Sequence, residues 1–171
     1  MTSFEAGALL IAVVACAVDV RTARIPNVLT MTSLVAGLVD HSASPSGHGL
    51  LFALGGAGMG LLVFFPVFAL GGMGAGDVKL MAALGAWLGW SPTVWTALYA
   101  ACAGGALALV WGLARGYLGQ AFRNLLALAR FWLAAGVRPM PPLTLDEGRG
   151  PRLPYALPIL IGVLLTIWRH Q

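Results

Sequence analysis

Two stretches, Leu50–Leu70 and Val94–Leu113, contain no charged residue. Each is long enough to cross a bilayer as a helix, which takes ~20 mostly apolar residues. The composition extends that constraint to the whole chain. Of 171 residues 59% are hydrophobic and only 9% are charged, with a mean hydropathy of +0.86. A soluble domain carries roughly 25% charged residues. The same figures exclude disorder, which requires low hydrophobicity and high charge. The chain therefore reads as an all-α integral membrane protein, residues 1–171 forming a single transmembrane domain without an internal repeat.

Four further apolar stretches bring the expected number of transmembrane helices to about six: Phe4–Val18, Val28–Val39, Val78–Trp90 and Tyr155–Trp168. The second and fourth in chain order, Val28–Val39 and Val78–Trp90, are short. Twelve helical residues rise only ~18 Å, less than the ~30 Å hydrocarbon core, so they recruit flanking polar residues or start below the surface. The first stretch is a span and not a signal peptide, because its basic residues, Arg21 and Arg24, follow the apolar run. Since Lys and Arg favour the cytoplasmic side, the N-terminus faces out. Carried through six spans, this places Arg21, Arg24, Lys79, Arg115, Arg123, Arg130, Arg138, Arg149 and Arg152 inside. Of the 10 basic residues only Arg169 falls outside. The loop around Asp40–Gly49 and the turn at Ser91-Pro92 have no Lys or Arg and lie outside.

In Tyr117–Val137, Arg115, Arg123, Arg130 and Arg138 recur every seven or eight residues and share one arc with Gln120 and Asn124. Leu118, Phe122, Leu125, Trp132 and Leu133 fill the opposite side, the pattern of an amphipathic helix lying in the cytoplasmic interface against lipid. Arg138–Arg152, rich in Pro and Gly, reads as a cytoplasmic loop. The pairs Gly56/Gly60, Gly85/Gly89 and Gly112/Gly116 are small-residue spacings that let helices approach closely. Trp87, Trp90, Trp95 and Trp168 fit anchoring at the membrane surfaces.

Two cysteines, Cys16 and Cys102, make neither a disulfide framework nor a zinc site. His41 and His48 fall in the short outer loop without a carboxylate cluster, so no metal site is expected. The net charge of +4 is spread singly with no basic run or aromatic ladder, which argues against nucleic acid as a partner.

Of the six acidic residues, Glu5, Asp40, Asp146 and Glu147 read as solvated. Asp19, at the cytoplasmic end of the first span, and Asp77, at the start of the fourth, do not. An ionisable group at membrane depth is kept where it faces a partner or a cavity, and the orientation puts both on the same side at comparable depth. Two carboxyls brought together share a proton and titrate as a coupled pair. The charged member then takes a proton from water while the neutral one donates to a carbonyl oxygen, which is peptide hydrolysis without a metal or covalent intermediate. The glycines before Asp77 would permit positive φ and close approach of substrate. The alternative is a pair of helix-end carboxylates neutralised by Arg21, Arg24 or Lys79. A proton-coupled transporter or channel subunit using both as relay groups is another, although it would place them nearer the midplane and in repeated halves.

Gly74-Ala75-Gly76-Asp77 is a GxGD motif. With its continuation Val78-Lys79-Leu80 and Ala83-Leu84-Gly85 it resembles the type IV prepilin peptidases. Asp19-Val-Arg-Thr-Ala-Arg-Ile-Pro-Asn27 is similar to that family's other catalytic segment. Leu153-Pro154-Tyr155-Ala156-Leu157-Pro158 resembles the Pro-aromatic element that opens its last helix. The resemblance implies an aspartic endopeptidase of the bacterial inner membrane, both termini periplasmic, with Asp19 and Asp77 catalytic at the cytoplasmic face and Gly74, Gly76, Lys79, Pro26 and Asn27 supporting them. It implies prepilins and pseudopilins as substrates, cut after a glycine to release a basic leader, and no cofactor. Longer members carry paired CxxC motifs and also methylate the new N-terminus. This sequence has no CxxC, so it looks like the short peptidase form found with tight-adherence (Flp) pili, without N-methyltransferase activity. Pro26 and Asn27 are expected to start the second helix, and Lys79 either tunes Asp77 or marks the inner end of its span.

Overall fold

In the computed structural model, residues 2–43, 48–116, 118–138 and 154–169 are described. Every regular element among them is an α-helix: α1 Ser3–Thr22, α2 Asn27–Ala43, α3 Leu50–Ala69, α4 Ala75–Leu88, α5 Trp90–Ala114, α6 Leu118–Ala135 and α7 Ala156–Arg169. Three of them, α1, α3 and α5, are long and apolar enough to cross a membrane, while α7 is a shorter apolar helix. Their outward faces are apolar too. Leu51 and Leu62 on α3 are 85% and 69% exposed, and Leu10, Leu98 and Val110 also face out, a coat that suits hydrocarbon and not water.

The helices are longer than the apolar runs, because a helix continues through polar residues once its backbone bonds are made. α1 runs past Val18 to include Asp19 and Arg21, and α2 extends from Asn27 to Ala43, absorbing Asp40 and His41. Pro26 precedes α2, its carbonyl accepting from the Thr30 N–H at 3.3 Å. The fourth apolar stretch ends two residues early. Gly89 at φ +79 joins α4 to α5, so Trp90, Ser91 and Pro92 open α5 and are not the turn. Proline is tolerated there because first-turn N–H groups have no partner within the helix. Asp146, Glu147, Arg149 and Arg152, with most of the loop assigned to Arg138–Arg152, lie outside the described residues, as does Tyr117.

α4 is the axis of the bundle and packs against α1, α2, α3 and α5; α7 packs against α1 and α5, and α6 mainly meets α5. Val78, every residue from Leu80 to Ala86, and Leu88 are all buried. Between helices in lipid there is little hydrophobic drive, so close van der Waals packing has to hold them. The α3–α4 contact is accordingly backbone on backbone. A methyl group on Gly56 would strike the Gly85 carbonyl, one on Gly60 would lie 2.7 Å from the Met81 carbonyl carbon, and one on Gly85 would strike Gly56. Gly89 joins the same contact, its carbonyl carbon 2.8 Å from where a methyl on Gly56 would sit, and also carries the positive φ of the turn, whereas Gly112 faces only the Leu118 side chain.

Away from the two aspartates, the other end of the bundle carries an aromatic and polar cluster around a cavity of about 570 Å³, lined by Phe4, His41, His48, Phe52 and Trp87 among others. His41, buried in the last turn of α2, donates from Nε2 to the Trp87 carbonyl at 3.0 Å and stacks on Phe4 at 4.0 Å. It is therefore not a loop residue. Trp87 donates from Nε1 to the Ser33 carbonyl at 2.9 Å. Its ring fills the space left by Gly7 and Gly37, where a methyl on Gly37 would sit 2.9 Å from Cδ1. Trp87 is thus a packing residue and not a surface anchor; Trp90 and Trp168 remain exposed.

Candidate active site

Asp19 sits one turn before the end of α1. The helix stops because Ala23 adopts the left-handed conformation, φ 51, and its N–H closes on the Asp19 carbonyl at 2.7 Å. The Thr22 hydroxyl lies 2.9 Å from the carbonyls of both Val18 and Arg24, fastening the turn. The Asp19 side chain, only 8% exposed, accepts the Ala156 N–H at Oδ2, 3.3 Å away. That donor is the first residue of α7.

Asp77 is reached by a glycine-built reversal. Gly71, at φ +77, donates to the Phe68 carbonyl at 2.8 Å, and Gly72 donates to the Val67 carbonyl at 2.9 Å, the paired bonds of a Schellman ending. α4 then starts after Gly74, so Asp77 lies inside its first turn, where a carboxylate favours the helix dipole. The motif glycines do not use positive φ: Gly74 is extended at φ −76. Close approach is what requires them. A methyl on Gly74 would lie 3.2 Å from Asp77 Oδ2, and one on Gly76 would lie 3.2 Å from the Ile25 Cβ.

Asp19 and Asp77 line one cavity of about 260 Å³ together with Ala23, Arg24, Ile25, Gly74, Ala75 and Gly76. The walls are thus the two segments singled out in the sequence, brought together by the antiparallel course of α1 and α4. Two carboxyl groups facing one opening can divide the two proton transfers of a hydrolysis, one accepting from water and one donating to a carbonyl oxygen. Among the described residues no group of three His, Cys, Asp or Glu side chains is placed to hold a metal ion.

The other expected residues fall around this cavity in unequal ways. Lys79 turns to α2, its Nζ donating to Asn27 Oδ1 at 2.9 Å, so it joins the two segments. Arg24 lines the cavity, whereas Arg21 is exposed on α1. Ile25, which packs on Gly76, and Ala156, whose backbone reaches Asp19, stand inside motifs visible in the sequence, which gives neither of them a role. Backbone donors leave no residue-type signal, and the hint in Pro154-Tyr155-Ala156 was its place at a helix start. Tyr155 wedges between Phe64 of α3, ring centroids 6.3 Å apart, and Gly104 of α5.

Fold and site together define a helical membrane protein with two carboxylates, from separate helices, in one cavity. The chain belongs to the Type IV leader peptidase family, whose sequence profile matches residues 6–109; that match takes in both aspartates and stops before α6 and α7. Three relatives are each named prepilin leader peptidase/N-methyltransferase. That of Dickeya chrysanthemi is 37% identical over 114 residues, covering 61% of this chain and 40% of the relative. Its Burkholderia pseudomallei counterpart is 39% identical over 101 residues, 55% of this chain and 32% of the relative. For Pectobacterium carotovorum the figures are 36% over 126 residues, 70% and 43%. The chain thus spans less than half the length of these relatives. No solved structure matches it.

Proposed function

We propose that this protein is the aspartic endopeptidase that removes the basic leader from prepilins and pseudopilins, with Asp19 and Asp77 as its catalytic pair. The observation that carries the reading is the single cavity lined by both carboxylates and by the motif glycines Gly74 and Gly76. In the reaction, one carboxylate takes a proton from water as the oxygen attacks the scissile carbonyl carbon. The other, protonated, gives its proton to the carbonyl oxygen, and collapse of the tetrahedral intermediate returns a proton to the departing amine. A pair of this kind shares its titration.

The membrane arrangement follows from the same reading. α1, α2, α3, α4, α5 and α7 serve as six spans with both termini periplasmic, and the cavity opens at the cytoplasmic face of the bacterial inner membrane. α6, with Arg123 and Arg130 on one side and the exposed Phe122, Leu125 and Leu133 on the other, lies along that face in the lipid interface. A leader held inside by its basic residues would present the bond after its terminal glycine at the cavity mouth. Of the two activities in the relatives' names, the peptidase is assigned to this chain, whose matched residues carry the aspartates. An Flp-type pilus is the system it would serve.

Co-expression with a tagged prepilin, carrying a basic leader and a glycine before its apolar segment, tests this. Gel shift and N-terminal sequencing should show cleavage after the glycine in wild type and none in well-expressed Asp19→Ala or Asp77→Ala. Cleavage surviving either substitution removes that residue from the mechanism, and no cleavage of several such substrates by wild type overturns the peptidase.

A further inference from the structure

α7 is locked in place along its whole length. At its head the Tyr155 ring lies against Gly104 of α5, where a methyl would be 3.0 Å from the tyrosine hydroxyl. Further along, Gly162 fits against the α5 backbone, and a methyl there would lie 3.0 Å from the Ala100 nitrogen. Near its far end the Thr166 and Thr96 hydroxyls are 3.0 Å apart in the buried interior. A helix held at three heights cannot slide, so its first turn is a fixed point. Ala156, fully buried, presents its N–H from that point to Asp19 Oδ2 at 3.3 Å. First-turn N–H groups have no partner within the helix, so this donor is free for a carboxylate, which the helix dipole also favours.

We infer that Ala156 is a positioning residue for the peptidase reaction: its backbone N–H holds one oxygen of Asp19 and leaves the other directed to the cavity shared with Asp77. This rests on the peptidase reading above and extends it to a helix outside the family match. α7 is thereby part of the working site and not only a wall of the bundle. The side chain at 156 contributes packing; the donor is the backbone.

Ala156 is the first residue of α7, where proline is compatible with a helix because its missing N–H breaks no helical bond. Ala156→Pro therefore deletes the donor, and Ala156→Gly is the conservative variant that keeps it. The experiment measures kcat and KM for a prepilin substrate with purified enzyme in nanodiscs. Ala156→Pro should lower kcat by at least about tenfold, the size of a lost hydrogen bond to a charged group, with KM within about twofold. Ala156→Gly should restore kcat to within about threefold of wild type. Ala156→Pro at wild-type kcat, or Ala156→Gly falling as far as Ala156→Pro, overturns the inference while leaving the peptidase standing. Wild type without cleavage removes both.

If Ala156→Pro fails to fold, amide exchange decides. In alanine-labelled protein the Ala156 amide should exchange at least about tenfold faster in Asp19→Ala than in wild type. An unchanged rate overturns the contact.

Discussion

His41 and Asp19 are both buried polar side chains, 2% and 8% exposed, at opposite ends of one helical bundle. His41 has its ring nitrogen on the Trp87 carbonyl and its face on Phe4. The neighbouring Trp87 and Ser33 are likewise paired with each other. Asp19 has one oxygen on the Ala156 N–H and opens onto a cavity that also receives Asp77. A buried polar group whose partners are all protein stabilises the fold, since leaving it unpaired would cost about 1–3 kcal/mol. Carboxylates that face a shared opening keep capacity for a substrate. His41 too borders a cavity, of about 570 Å³, so the two ends differ in the chemistry each opening receives: two carboxyl groups at one, a ring already bonded to protein at the other.

The sharpest way to break that comparison is to exchange the expected losses. Asp77→Asn should reduce leader cleavage by a factor of about 10³, within the 10²–10⁴ range of general acid–base catalysis, with thermal stability unchanged. Loss of stability together with activity would make Asp77 a structural group like His41. Between the two ends, Gly85→Leu should destabilise by about 3 kcal/mol or more, because the added side chain meets the α3 backbone and overpacking has no relief there; detergent unfolding is the measurement. At the far end, His41→Ala should cost about 2 kcal/mol of stability, freeing the Trp87 carbonyl and removing the Phe4 stack, while kcat stays at the wild-type value. A fall in kcat would couple the two ends. The smallest effect belongs to Lys79→Ala, which breaks an exposed bond to Asn27. A loss of about 0.5–1 kcal/mol is expected in unfolding, and a much larger fall in cleavage than in stability would place the ammonium in the site.

Much of the candidate site was legible because it is written in side chains. Asp19 and Asp77 are rare charges in an apolar chain, and the glycines beside Asp77 stand in a recognisable order. The helical class was legible for the same reason, through long uncharged runs such as that of α3. Hydropathy, however, reports contact with lipid and says little of a helix enclosed by protein. α4, rich in Ala and Gly and covered by four neighbours, was therefore misjudged at both ends, and Asp77 was placed before the helix when it lies within it. Trp87 looked like an anchor because tryptophan at a helix end usually is one. Only the facing glycines, Gly7 and Gly37, make room for it inside, and their pairing with it is a tertiary fact. The Ala156 donor is backbone and leaves no mark in residue type at all.

The enclosure of α4 has a consequence for how the protein is made. At 14 residues this helix is roughly 21 Å long. As one of the six spans proposed above, and released alone into the bilayer, it would leave terminal backbone groups, and the Asp77 carboxyl, in hydrocarbon. It gains a tolerable environment only once α3 lies along its glycine face and α1, α2 and α5 close around it. Insertion and assembly are then one event for this segment. On that reading α4 has to enter alongside its neighbours, and the Asp77 carboxyl reaches membrane depth already inside its protein jacket.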